Sequence, residues 1–405
     1  MGKPLKSVFK KEHRDDVSNP SANPVFSTVA EMFLSRRRFL QMGAVAGAAA
    51  SFPFLLKPEN ALAAVSQPSA LSKAVSLGFT SIPVSTDDTV RVPEGYIARP
   101  FYRWGDATGI KGNLPAFKFD ASNTTDEQAA QAGMHHDGMA WFSLPQGEQD
   151  PAHGLLAMNH EYIDNGMLFT DGTANWSLDK ARKGQNAMGV SIIEVKKSGS
   201  DWEVVRPSGF ARRITVNTPM QLTGPARQQA LMKTAADPQG EQVLGTMQNC
   251  ANGYTPWGTY LTCEENWSDI FVKKSERNAL EKRYGISDSD ESYRWSEVDD
   301  RFNVDKTPNE PNRFGWVVEI DPYNPNSTPR KHTALGRFKH EGAAVTLAAD
   351  KRVVTYMGDD QKFEYIYKFV SDNNYNPADR EANMQLLSAG TLYVARFNDD
   401  GSGEW

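Results

Sequence analysis

The chain is 405 residues long, with 39% hydrophobic and 10% aromatic residues, so it carries enough apolar surface for a large core and is too apolar for a disordered chain. Its net charge of −6 is divided unevenly: residues 1–63 hold 9 basic and 5 acidic side chains, leaving 35 and 45 for the rest, a net of −10. An acidic body excludes a binder of the nucleic-acid backbone, and two cysteines exclude a disulfide framework.

In chain order, the first predicted element is an address. Ser35-Arg36-Arg37-Arg38-Phe39-Leu40 precedes an Ala/Gly-rich apolar stretch from Met42 to Leu56, and Ala61-Leu62-Ala63 follows as a small-residue cleavage pattern. The order resembles a twin-arginine (Tat) export signal. The apolar stretch is short for the ~30 Å hydrocarbon core of a membrane and contains Pro53, which argues against a stable anchor. The reading is therefore a signal peptide over 1–63, passage through the Tat translocon, and a periplasmic or secreted mature protein.

The body, 64–405, reads as a single all-β domain. Short β-type runs recur between turn-rich loops, among them Val190–Val195, Phe314–Ile320, Arg352–Met357, Tyr365–Val370 and Thr391–Phe397. Helical windows are few: Pro225–Ala235 and Ser275–Lys282. Ser287–Asp300 is polar and acidic, and reads as a surface insertion.

Four apolar runs end in clusters of oxygen donors: Gly154–Met158 before Asn159-His160-Glu161, Gly258–Thr262 before Cys263-Glu264-Glu265-Asn266, Arg352–Met357 before Gly358-Asp359-Asp360, and Thr391–Phe397 before Asn398-Asp399-Asp400. Strands set radially around an axis would converge such ends at one mouth, as in a β-propeller. Turn chemistry explains Asn398-Asp399-Asp400-Gly401, but not the pair Glu264-Glu265, because Glu is not a turn former.

The block from Asn249 to Trp267 carries the most chemistry. Thr255-Pro256-Trp257-Gly258 marks a tight turn, which folds the Cys250 end back towards Cys263-Glu264-Glu265. Carboxylates suit hard cations, whereas a thiolate calls for a transition metal. Three readings of the cysteines stand: a metal ligand, a Cys250–Cys263 disulfide, or two buried thiols. In Phe338-Lys339-His340-Glu341-Gly342, adjacent strand residues face opposite ways, so one of His340 and Glu341 faces the axis. Glu341 is the one read as a ligand, and His340 reads equally well as a packing residue. Asp359-Asp360 repel each other unless a cation or solvent intervenes. His135-His136-Asp137 adds further candidates. Walker, Gly-x-Gly-x-x-Gly, Gly-x-Ser-x-Gly and His-Glu-x-x-His patterns are absent, which removes nucleotide-loop enzymes, serine hydrolases and zincins as leading readings.

Taken with Trp104-Gly105-Asp106, Arg213-Ile214-Thr215, Leu222–Ala226 and Leu386–Ala395, these stretches resemble the PhoX family of secreted alkaline phosphatases over most of the body. The resemblance implies a β-propeller whose mouth holds Fe(III) and Ca2+, phosphate esters as substrates, and a cysteine ligand, Cys250, within the iron pair. It implies catalytic and metal-holding roles for Cys250, Glu265, Glu341 and Asp360, and metal contacts from Asn159, Glu161 and Glu264. Members of that family are usually longer. The resemblance therefore leads us to expect a propeller lacking its C-terminal blades and a chain of weak activity. Rival expectations are a non-catalytic calcium-binding secreted module and a propeller hydrolase acting on another ester.

Overall fold

Strand-forming runs dominate the chain from His136 onwards, and their pairing sorts them into three large sheets and a terminal hairpin. The structure is a computed structural model; it describes residues 79–405 apart from Gln149 and Glu291, so the expected signal at 1–63 lies outside the described residues. Pro100–Trp405 forms one compact unit. Residues 79–99 belong to a separate unit and hold no helix or strand.

The first sheet runs β1 (His136–Ser143), β2 (His153–His160), β3 (Gly189–Ser198) and β4 (Asp201–Val204), all antiparallel, with β5 (Arg212–Ile214) also paired to β3. The second contains β6 (Pro219–Thr223), β7 (Gln242–Leu244), β8 (Asn249–Tyr254), β9 (Tyr260–Glu264), β10 (Val317–Ile320) and β11 (Arg330–His332). Within it β8 to β11 form an antiparallel meander, and β6 joins β11 in parallel. The third is the meander β12 (His340–Leu347), β13 (Arg352–Asp359), β14 (Ile366–Asn374) and β15 (Gly390–Val394). The hairpin of β16 (Arg396–Phe397) and β17 (Gly403–Glu404) closes through the Asn398–Ser402 turn expected there.

Three four-stranded meanders, each beginning with its edge strand, give the expected all-β, propeller-like arrangement with small helices and no closed barrel. The edge strands β1, β8 and β12 lie side by side, with β8 in the middle. Side-chain alternation decides how the sheets pack. On β9, Tyr260 points into the core shared with the first sheet, beside Leu155, Ile192 and Met220, while Leu261 and Cys263 point into the core shared with the third, beside Val353, Met357 and Phe369. The middle sheet is therefore apolar on both faces, and β10 is buried at every position.

Two local expectations fail. Of the helical window 225–235 only a single 3-10 turn, Ala230–Met232, survives. Gln228 adopts φ +67°, and Asn309, Asn312 and Arg313 donate to carbonyls of Ala230, Leu231, Met232 and Lys233, so tertiary partners take the groups a helix would use. The polar stretch 287–300 is not a mere surface insertion. Trp295 is fully buried, packs 5.1 Å from Phe302, and anchors an aromatic cluster with Phe271 and Phe314. Trp295 is held there although the residues around it are mostly charged or hydroxyl-bearing. The window 275–282 is helical only over Ala279–Arg283, capped by Asn278 and Glu281.

Candidate metal centre

Each of the three adjacent edge strands carries a β-bulge at the same end. On β1, Asp137 and Gly138 together stand opposite Asn159; on β8, Cys250 and Ala251 stand opposite Cys263; on β12, Gly342 and Ala343 stand opposite Met357. A bulge inserts one unpaired residue and re-aims the side chains beside it. Glycine lets these strands close up: a Cβ on Gly138 would sit 2.9 Å from Cys250 O, and one on Gly253 would meet the carbonyl of Ala343.

The bulges bring acids and sulfur together. Ligand atoms of Asp137, Glu161 and Cys250 lie within 4.8 Å of one another, and so do those of Cys250, Glu265 and Glu341. Cys250 belongs to both groups, and its Sγ donates to Glu341 Oε1 at 3.1 Å. Asp360 joins through a hydrogen bond with Glu265, its backbone N–H held by Lys339 O at 3.0 Å. Glu341 and Asp360 are exposed and form the open side, while Glu265 is buried and Cys250, Glu161 and Asp137 are half-buried.

Crowded like charges disfavour ionisation. Burial, then Asp137 and Glu341, push the Glu161 carboxyl up to about 7. Burial, then Asp360 and Glu341, push Glu265 up to about 8. Burial and the surrounding carboxylates drive the Cys250 thiol far above its ordinary value. Among the described residues, none of Asp137, Glu161, Glu265, Glu341 and Asp360 has an ion pair with Lys or Arg. Five carboxylates and a thiol facing one space without a protein cation are a donor set that fits bound metal, with sulfur suiting a transition metal and the carboxylates a hard cation.

The arrangement fixes a sign for the pH dependence of the metal-stripped protein. A carboxyl whose folded pKa exceeds its unfolded value contributes stability at low pH, which is lost as pH rises through the folded pKa, here about 7 for Glu161 and about 8 for Glu265. Calorimetry in the presence of chelator is expected to give a melting temperature lower at pH 9 than at pH 6 by about a few degrees. Divalent or ferric ions should remove the difference. Equal melting temperatures would contradict this account of the cluster.

The other residues singled out in the sequence sort clearly. Cys250 and Cys263 are both free, so the disulfide reading is overturned: the bulge turns Cys250 to the cluster while Cys263 stays fully buried in the core between the second and third sheets. Glu264 lies outside the cluster. It is fully buried, paired with Lys331 Nζ at 2.7 Å, and accepts the backbone N–H groups of Gly315 and Trp316. The metal contact expected of it gives way to a structural ion pair, because Glu264 and Glu265 point to opposite sides. Asn159 is also taken up by protein: its Nδ2 donates to Cys250 O at 2.5 Å and Ala251 O at 3.2 Å.

His340 is a packing histidine, stacked 3.7 Å from Phe338 and bonded to Gly336 O, and burial pushes its pKa down to about 4. His135 stacks on Tyr162 at 3.6 Å, and His160 is buried against Ser191. Asp137 is the group member that sequence reasoning ranked too low. Its signal was the Asp137-Gly138 pair at a strand start, the same acid-then-glycine pattern as Glu341-Gly342.

Comparison with known proteins places the chain in a family. The family model of alkaline phosphatase PhoX matches residues 77–405. A solved structure of Pseudomonas fluorescens PhoX in complex with vanadate, a transition state analogue, is similar at 47% identity with a TM-score of 0.76, over 79% of this chain and 55% of that one. The chain thus spans just over half the length of that relative. A search of curated proteins returned no match.

Proposed function

The chain belongs to the PhoX alkaline phosphatase family, and on that premise we propose that it is a metal-dependent phosphomonoester hydrolase whose centre is built on Cys250, Asp137, Glu161, Glu265, Glu341 and Asp360. The observation that carries the reading is the shared thiol: two ligand groups meet at Cys250, at the bulged ends of three neighbouring strands. Fe(III) at the sulfur side and Ca2+ at the outer carboxylates match the donor chemistry. Bound cations supply charge neutralisation for the phosphoryl oxygens and the developing leaving group.

The protein's part follows from its own groups. Cys250 and Glu265, on the less exposed side, anchor the centre, while the exposed Glu341 and Asp360 border the opening where a phosphate ester enters. Carboxylates alone would repel a phosphate dianion, so the pocket works as a phosphate site only when its negative charge is compensated. Glu161 and Glu265 hold protons in the metal-free state and surrender them on loading, which makes loading favourable at higher pH. Substrates are small phosphate monoesters, and the address over residues 1–63 supports export by the Tat translocon to the periplasm or beyond.

The test is p-nitrophenyl phosphate turnover by the purified chain, with metal content measured on the same sample. Turnover that is abolished by chelation and restored by iron with calcium supports the proposal. Calcium without iron, and no turnover, would favour the non-catalytic module. Turnover of a lactone or phosphotriester in preference to the monoester would favour another ester hydrolase.

A further inference from the structure

Asn159 sits where two bulges meet. It is the lone residue opposite Asp137 and Gly138 on β1, and its side chain reaches across to the bulge of β8. It is fully buried, and all its polar capacity is used. Nδ2 donates to the carbonyls of Cys250 and Ala251, while Oδ1 accepts from Thr262 Oγ1 at 2.8 Å and lies 2.8 Å from the Tyr260 hydroxyl. Tyr260 is fully buried too, and its hydroxyl lies 2.7 Å from Gly138 O, sharing its one proton between that carbonyl and Asn159. Thr262 in turn accepts from Asn249 Nδ2 at 2.9 Å, at the entrance to the second bulge. One hydrogen-bonded chain thus fixes the backbone of both bulges at Gly138, Cys250 and Ala251, the peptide groups that aim Asp137 and the Cys250 sulfur.

We propose that Asn159, with Tyr260 and Thr262, is a positioning clamp that sets the Asp137 and Cys250 ligands at their common point, rather than a metal ligand itself. The inference rests on the metal-centre reading above and deepens it. A ligand role would need a free oxygen on Asn159, and both ends of the amide are engaged by protein. Partners that orient ligands typically carry a 10- to 100-fold effect on metal affinity when removed.

Asn159→Asp separates the two roles, because it keeps the shape and the acceptor oxygen but replaces the donor to Cys250 O and Ala251 O by a carboxylate oxygen facing two carbonyls. A true oxygen ligand would bind a cation more tightly as Asp; a clamp would fail. The probe is Co2+ added to the metal-stripped full chain, read by the sulfur-to-cobalt charge-transfer absorption, with thermal unfolding of the stripped protein as the folding check. The expected result is Co2+ affinity lower by about 10- to 100-fold in Asn159→Asp, with a weaker sulfur band per bound cobalt at saturation. A merely destabilised fold would leave the band per bound cobalt unchanged, and that result counts against the clamp. Affinity equal to or above that of the unaltered protein overturns the proposal.

Should Asn159→Asp not fold, Tyr260→Phe carries the test, since it removes one oxygen and frees Gly138 O. A several-fold loss of affinity with a reduced band supports the clamp, and an unchanged titration overturns it. A sulfur band missing from the unaltered protein itself overturns the metal-centre reading and the clamp together, so the two failures are distinguishable.

Discussion

On the proposed function, changing Cys250 to serine is expected to abolish the sulfur-to-metal absorption of the loaded protein and to lower phosphate release by about a thousandfold or more. The size follows from the position of the sulfur. Cys250 is the one residue common to both ligand groups, so its loss opens both at once. A serine hydroxyl does not ionise at working pH, and burial together with the carboxylates around this position disfavours a further anion. Metal centres lend several kcal/mol of charge stabilisation, and each 1.36 kcal/mol is about tenfold in rate. Cys263→Ser is the control: Cys263 is fully buried in the core between the second and third sheets, so the change should cost stability by placing a hydroxyl in an apolar core and leave the absorption intact. Measuring absorption, metal content and p-nitrophenyl phosphate turnover for both variants checks the assignment, and a metal-replete, fully active Cys250→Ser protein would sink it.

Replacing Lys331 by methionine destabilises the protein by about 3–5 kcal/mol, the usual cost of stranding one partner of a buried ion pair. Lys331 and Glu264 are both fully buried, 2.7 Å apart. The ammonium also donates to Arg313 O at 3.0 Å and lies 3.8 Å from the Phe314 ring centroid. Burial pulls the Lys331 pKa down to about 8 against the opposing pull of Glu264, a sign of how costly the lone charge is. Methionine fills the volume but leaves the Glu264 carboxylate with only two backbone donors, Gly315 and Trp316. Urea unfolding should show the loss, and the added change Glu264→Gln should recover part of it, because a neutral amide still accepts from those donors. Glu264→Gln alone should leave metal content unchanged. A fall in bound metal would return Glu264 to the ligand set.

The adjacent pair Glu264-Glu265 shows where sequence reading stops. That an acid pair after an apolar strand is no turn was legible, and so was the hairpin that carries Cys250 back beside it. Which of the two faces the cluster depends on strand phase relative to the bulge, and on Lys331 arriving from β11, sixty-odd residues downstream. Likewise His340 and Glu341 were separable by alternation, because no bulge falls between them, whereas Cys250 and Cys263 would have faced each other across the hairpin but for one inserted residue. Asn159 looked like a ligand because amides do bind metals; its four hydrogen-bond partners lie on β8 and β9, far away in sequence. The helical window at 225–235 was lost to side chains of Asn309, Asn312 and Arg313, which no local propensity contains.

The three bulges also mean that no stretch of the polypeptide holds the centre by itself. Asp137 and Glu161 come from one sheet, Cys250 and Glu265 from the next, Glu341 and Asp360 from a third, so the pocket exists only after all three have docked. On the proposed metal-binding role, occupancy would therefore act as a certificate of finished tertiary structure, because a nascent or misassembled chain offers only scattered acids and the converging set exists in the completed assembly alone.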